Sequence, residues 1–178
     1  MEFLDVIKSR QSVRSFNGMP VSEEALREMV AAAMEAPSWK NSQTSRYYVV
    51  SSEAKLAEIR ANILPDFNVN STKGAGAYII STYVKNRSGF TREGVAEDEV
   101  GNGWGAYDLG LHDMLLIARA KELGLDTLIM GLRDTEAIRA SFGVSDDEQI
   151  MSVIAVGYAE NPTSKPPRKD LDSIAKFF

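Results

Sequence analysis

The sequence predicts a single α/β or α+β domain built on a mixed β-sheet. Three observations lead there. Segments of helical period and segments of strand character interleave along the chain, with no internal repeat and no linker-like stretch between them. One stretch, residues 104–123, is apolar on every side, a pattern that suits a buried helix. The 178 residues are also enough for one compact unit, since folding at this size buries roughly 70% of the unfolded chain's surface.

Each element follows from its local pattern. Phe3, Leu4, Val6 and Ile7 stand at helical spacing before the chain turns polar from Ser9 to Ser15, so a short helix delivers a basic cluster. Ser22 with Glu23 and Glu24 starts a second helix with Leu26, Met29, Val30, Ala33 and Met34 inward, and Pro37 ends it near Ala36. Tyr47 to Ser51 is aromatic and β-branched, as strands prefer, and residues 52–63 return to helix with Leu56, Ile59 and Ile63 inward. Ala77 to Val84 is a second strand. Lys85 to Gly103 is charged and glycine-rich, a loop long enough to be functional, mobile, or a disordered surface excursion. In the helix that follows, Trp104, Tyr107, Leu111, Met114, Leu115 and Ala118 mark one face, and Leu109, Leu116 and Ile117 make the rest apolar, so burial nearly all round is expected. Gly124 caps it, and Leu125 to Met130 is an extended buried segment. Asp134 then starts a short helix ending at Gly143, and Gln149 to Gly157 is the last strand. Glu160 to Pro167 is a proline-punctuated arm that closes with Arg168, Lys169 and the apolar end from Ile174 to Phe178.

Composition removes several function classes. A net charge of −5 argues against nucleic acid as a partner, because that binding needs a cationic footprint. The absence of cysteine excludes disulfides, thiolate metal sites, iron–sulfur clusters and cysteine nucleophiles. No apolar run reaches the roughly 18–20 residues a bilayer requires, and Met1, Glu2 and Asp5 lack the basic start of a secretory signal. A cytoplasmic protein without a membrane partner is therefore expected.

Four clusters carry possible chemistry. Arg10-Gln11-Ser12-Val13-Arg14 gathers two guanidiniums and a hydroxyl at a helix end, which fits either a phosphate site or a solvated terminus. Ala36-Pro37-Ser38-Trp39-Lys40-Asn41-Ser42-Gln43 is a polar loop between helix and strand. Its amides and hydroxyls suit the edge of a heteroaromatic ring, with Trp39 as a wall, although a plain surface turn reads the same way. Leu128-Ile129-Met130-Gly131 ends an apolar segment at a glycine, where backbone can approach a flat ligand or simply turn. Arg168 and Lys169 add charge on the arm. The glycines at 74–76 and 101–105 lack the strand–glycine–helix order of a dinucleotide fingerprint. The lone His112, mid-helix beside Asp113, reads as structural, and no metal site is expected.

Taken in order along nearly the whole chain, these motifs resemble the nitroreductase family of flavin enzymes. The marks are RQSVRSF at residues 10–16, Ala36-Pro37-Ser38 with Asn41 and Gln43, ARAKELGLDTLIMG at 118–131, Val156-Gly157-Tyr158 and the basic arm at Arg168. The resemblance implies an α+β fold, a mixed β-sheet sandwiched by helices, in a homodimer joined through long central helices. The arm, about residues 160–178, would embrace the partner. It implies FMN as cofactor, with Arg10, Gln11, Ser12, Arg14 and Arg168 at its phosphate and ribityl chain. Pro37, Ser38, Trp39, Asn41 and Gln43 would lie around the ring, Asn68 at its pyrimidine edge, and the backbone of Ile129, Met130 and Gly131 at its hydride-accepting nitrogen. No side chain is expected to titrate in catalysis. NADH or NADPH would be the electron donor and a flat, electron-poor small molecule such as a nitroaromatic or quinone the acceptor, in ping-pong order. One departure stands out: where many members carry Pro-Trp after the glutamine, this chain has Thr44-Ser45, with its tryptophan at position 39. A flavin carrier or sensor without turnover is the rival reading.

Overall fold

A computed structural model describes residues 2–161 and 164–178. Met1, Pro162 and Thr163 lie outside the described residues, and with them part of the expected arm at 160–167.

The sheet is organised around its most apolar strands. β2 (Ala77–Val84) is buried over nearly its whole length, and β4 (Glu148–Gly157) lies beside it with Val153, Ile154, Ala155 and Val156 fully buried. Strands covered on both faces must be apolar in both phases of the period-2 pattern, which explains their continuous apolar runs. β1 (Ser45–Val50) and β3 (Asp126–Met130) form the edges, giving the order β1-β2-β4-β3. All three ladders are antiparallel. The parallel component of the expected mixed sheet reduces to one bridge, between Ser12 and Thr127.

Helices cover both faces. α2 (Glu23–Met34) and α5 (Gly103–Glu122) pack on one side through Leu26, Met29, Leu116 and Ala120 against Ala77, Ile79, Ile154 and Val156. On the other side, α3 (Glu53–Asn62), α4 (Asp66–Thr72) and α6 (Thr135–Phe142) close over Tyr78, Ile80, Val153 and Ala155 with Leu56, Ile59, Val69 and Ile138. α1 (Phe3–Ser9) lies against α5. The expected caps are in place: Ser22 Oγ accepts from Ala25 N–H at 3.2 Å, Asp134 accepts from Ala137 N–H at 2.9 Å, and Gly143 takes the left-handed conformation with φ of 65°. α4 was not anticipated, because Asn, Ser and Thr are weak helix formers. No described helix is long and apolar enough to cross a membrane.

α5 departs from the expected all-round burial. It turns Leu109, His112, Asp113, Leu116, Ile117 and Ala120 inward, while Tyr107 and Met114 face outward at 60% and 37% exposure. Gly105 lets the helix press on the ring of Tyr83, where an added Cβ would lie 2.4 Å from a ring carbon. Midway, the Asp113 carboxylate accepts 3.1 Å bonds from the hydroxyls of Tyr47 and Ser81, and Ser81 is 2.8 Å from Ser152, so one buried group ties helix to three strands. Burial pushes the Asp113 pKa up to about 6, against the opposing pull of the Tyr47 and Ser81 bonds.

A carboxyl whose pKa is raised in the folded state binds more protons there than in the unfolded chain. Its contribution is therefore fully present at low pH and is lost as pH rises from about 4 through about 6. Asp113→Asn keeps an acceptor for one hydroxyl, offers its amide N–H to the oxygen of the other, and removes this loss. Urea denaturation should show the variant gaining on the wild type by about 2–3 kcal/mol between pH 4 and pH 7. A difference that stays constant across that range would contradict the assignment.

Candidate functional site

The basic cluster lies along the edge of β3. Arg10 caps the end of α1 in extended conformation, and Val13 N–H donates to the Thr127 carbonyl at 3.0 Å, so residues 10–14 run beside the start of β3. The C-terminal arm returns to the same place. Lys165 Nζ donates to the carbonyls of Ile7 and Lys8 at 2.9 and 3.0 Å, meeting the negative end of α1. The result is a cleft of about 250 Å³ lined by Arg10, Gln11, Ser12, Arg14, Lys165 and Arg168. Lys169 does not line it. Among the described residues no carboxylate forms an ion pair with any of the four cations. Desolvation and the neighbouring Arg10 and Arg168 guanidiniums hold the Lys165 ammonium below its usual pKa. Four crowded cations without a counter-charge, two hydrogen-bonding side chains and backbone turns make a receptor for a phosphate-like anion.

The second group sits at the far end of β3. Met130 points its side chain into the core, while Ile129, Gly131 and Leu132 face outward. Gly131 has open space on its Cα, with nothing within 4 Å of where a Cβ would stand, and its N–H forms no hydrogen bond among the described residues. The turn behind it is fixed. Arg133 donates to the Gly131 and Ile150 carbonyls, Asn68 Nδ2 donates to the Leu132 carbonyl at 3.0 Å, and Asp134 N–H donates to the Ile63 carbonyl at 2.9 Å. The Gly131 amide is therefore open on this edge. Asn68 is 2% exposed, and its amide nitrogen is committed to the turn, so in the single chain it supports the backbone after Gly131 rather than lining the surface.

The third group is the loop 37–43, and it is strained. Lys40, Asn41 and Gln43 have φ of 46°, 56° and 50°, left-handed values that side-chain-bearing residues rarely adopt. The loop is held in that shape from several directions. Asp108, 2% exposed on α5, accepts from Trp39 N–H at 3.0 Å and from the Ser88 hydroxyl at 2.7 Å. Ser38 Oγ accepts from Gln43 N–H at 3.0 Å, and Gln43 Nε2 donates to Asn41 Oδ1 at 3.2 Å. The long 85–103 segment proves to be an ordered excursion that clasps this loop. Glu97 pairs with Lys40 at 2.6 Å, Asp98 accepts from Trp104 Nε1 at 2.9 Å, and Trp104 lies 4.6 Å from Trp39. Trp39 Nε1 is buried without a partner in the structure. His112 is structural, its Nδ1 donating to the Asp108 carbonyl at 2.8 Å.

These groups do not all meet within one chain. Ser12 lies beside Thr127, level with Ala77 on β2, whereas Thr44 at the end of the loop lies level with Val84, on the opposite edge of the sheet. Seven steps of strand and four strand spacings separate them by about 30 Å. The cationic cleft and the Gly131 amide share an edge, and the strained loop stands across the molecule. Sequence reading missed Lys165 and Arg133, since neither carries a motif and only the fold reveals that they lack carboxylate partners.

The α+β sandwich thus carries a cationic cleft and an open backbone amide on the same sheet edge. The model of the nitroreductase family matches residues 7–158, and the chain belongs to that family. YodC of Bacillus subtilis, provisionally named an NAD(P)H nitroreductase, is 27% identical, with 98% of each chain covered. YdgI of the same organism, with the same provisional name, is 25% identical over 99% of this chain and 97% of its own. The fold is also that of a nitroreductase-type protein from Exiguobacterium sibiricum solved in complex with FMN, with a TM-score of 0.85 at 22% identity over 100% of this chain and 98% of that one.

Asp108→Ala would take the shared acceptor from the half-buried Trp39 amide and the buried Ser88 hydroxyl. The expected cost is about 2–3 kcal/mol in urea denaturation, with a shift in tryptophan emission as the Trp39–Trp104 pair loosens. Unchanged stability and emission would contradict the role given to Asp108.

Proposed function

We propose that the protein is an FMN-dependent NAD(P)H oxidoreductase that works as a homodimer. The observation that carries this reading is the cleft whose four cations have no carboxylate partner among the described residues, with an open Gly131 amide at the far end of the same edge strand. The names of YodC and YdgI and the FMN bound by the Exiguobacterium protein support it. Arg10, Ser12, Arg14, Lys165 and Arg168 would hold the phosphate, and Gln11 the ribityl chain. The backbone from Ile129 to Gly131 would lie along the ring, with Gly131 N–H donating to it. Pro37, Ser38, Trp39, Asn41 and Gln43 would reach the same cofactor from a second copy, because their own cleft is too far away.

Bound FMN supplies hydride chemistry, accepting from NADH or NADPH and giving to an electron-poor acceptor such as a nitroaromatic or quinone. The chain's part is to bind, orient and exclude water. The Arg10–Arg14 cleft fixes the anchored end, and the Gly131 amide fixes the reacting end without a titrating side chain. Trp39, set against Trp104, would wall the space where donor and acceptor bind in turn, giving ping-pong order. Several unpartnered apolar surfaces favour a second copy: Tyr107 and Met114 on α5, Phe3 and Leu4 on α1, and Leu171, Ile174, Phe177 and Phe178 at the chain end. An apolar groove of about 480 Å³, lined by Leu26, Val30, Met34 and Val49, runs beside the free edge of β1 and suits an extended arm. A cytoplasmic setting belongs to the same proposal.

Purified protein should be yellow, should bleach when NADPH or NADH is added without oxygen, and should recover with a quinone. Bound flavin that never bleaches would favour a carrier or sensor, and protein that cannot be loaded with FMN would contradict the reading. Arg14→Ala should weaken FMN by about 1.5–3 kcal/mol, as expected for a lost bond to a charged phosphate. Full retention of FMN by that variant would remove Arg14 from the phosphate site.

A further inference from the structure

Arg133 is an unusual cation. It stands directly behind Gly131, half-buried, and donates to the carbonyls of Gly131 and Ile150. Its Nε is buried without a partner in the structure, and no carboxylate pairs with it among the described residues. The neighbouring carboxylate that could have done so, Asp134, is turned away to cap α6. Burial lowers the guanidinium's pKa, but from so high a starting value that it keeps its charge. Leaving such a charge uncompensated is costly unless something else uses it.

We propose that Arg133 raises the electron affinity of the flavin by placing an unpaired positive charge behind the Gly131 peptide. The inference rests on the function proposed above and adds a residue to it. Hydride delivery brings two electrons and one proton, so the bound ring gains one negative charge. An acceptor bonded to Gly131 N–H is one residue and two hydrogen bonds from the guanidinium, a span of about 8 Å. At an effective dielectric constant of about 20, attraction over that span exceeds a factor of ten in relative affinity. Arg133 thus favours the reduced form over the oxidised one. It touches neither the anion cleft nor the strained loop, so it is a tuning residue and not part of the cofactor's grip.

The test is a dye-coupled redox titration of FMN-loaded wild type, Arg133→Gln and Arg133→Lys, with FMN affinity measured alongside. Arg133→Gln is expected to weaken the binding of reduced FMN at least tenfold more than that of oxidised FMN. For a two-electron couple that is a fall in potential of about 30 mV or more. Arg133→Lys keeps the charge and is expected to keep the potential. Should the glutamine variant fail to fold, a tenfold loss in the lysine variant would overturn the proposal by itself. Equal potentials in wild type and Arg133→Gln overturn this inference alone, whereas a wild type that holds no FMN overturns the functional reading with it.

Discussion

The burial of α5 between α2 and the sheet is the constraint on which the other parts depend. Its twenty residues run from the mouth of the strained loop to the start of β3. Asp108 anchors that loop, Asp113 ties the helix to β1, β2 and β4, and Lys121 pairs with Asp126 at 2.8 Å where β3 begins. A helix of this length is about 30 Å long, so it sets the distance between the two ends of the molecule and holds them there.

That spacing has a chemical consequence. The cationic cleft lies at one end with no counter-charge, and the strained loop lies at the other with left-handed residues and an orphaned indole N–H. Neither feature is explained by stability within the single chain. Uncompensated cations repel one another, and left-handed backbone costs of order 1–3 kcal/mol at each residue. Both make sense if a shared ligand joins the cleft of one copy to the loop of another, with the exposed Tyr107 and Met114 of α5 covered in the same act.

Much of this was legible in the sequence, and for identifiable reasons. Continuous apolar runs marked β2 and β4, Ser22 and Asp134 marked helix starts, and the RQSVR cluster marked residues that line the cationic cleft. α4 was hidden by its Asn, Ser and Thr, which carry no periodic apolar signal. The outward turn of Tyr107 and Met114 was hidden because a helix apolar all round reads the same whether it is covered by its own chain or by another. Lys165 and Arg133 were invisible because their importance lies in missing carboxylates, a property of three-dimensional neighbourhoods. Asn68, expected at the pyrimidine edge of a flavin, gives its amide N–H to the Leu132 carbonyl, which spacing alone does not reveal.

The central claim is that each cofactor site joins the Arg10–Arg14 cleft of one copy to the 37–43 loop of another. It is tested most directly by forming mixed dimers from an Arg14→Ala chain and an Asn41→Ala chain, each defective alone, and counting tightly held FMN. The account predicts one tightly bound FMN per mixed dimer, because one of its two sites then receives both wild-type halves. Mixed dimers that bind FMN no better than either parent would contradict it, since sites built within single chains cannot be repaired by exchange.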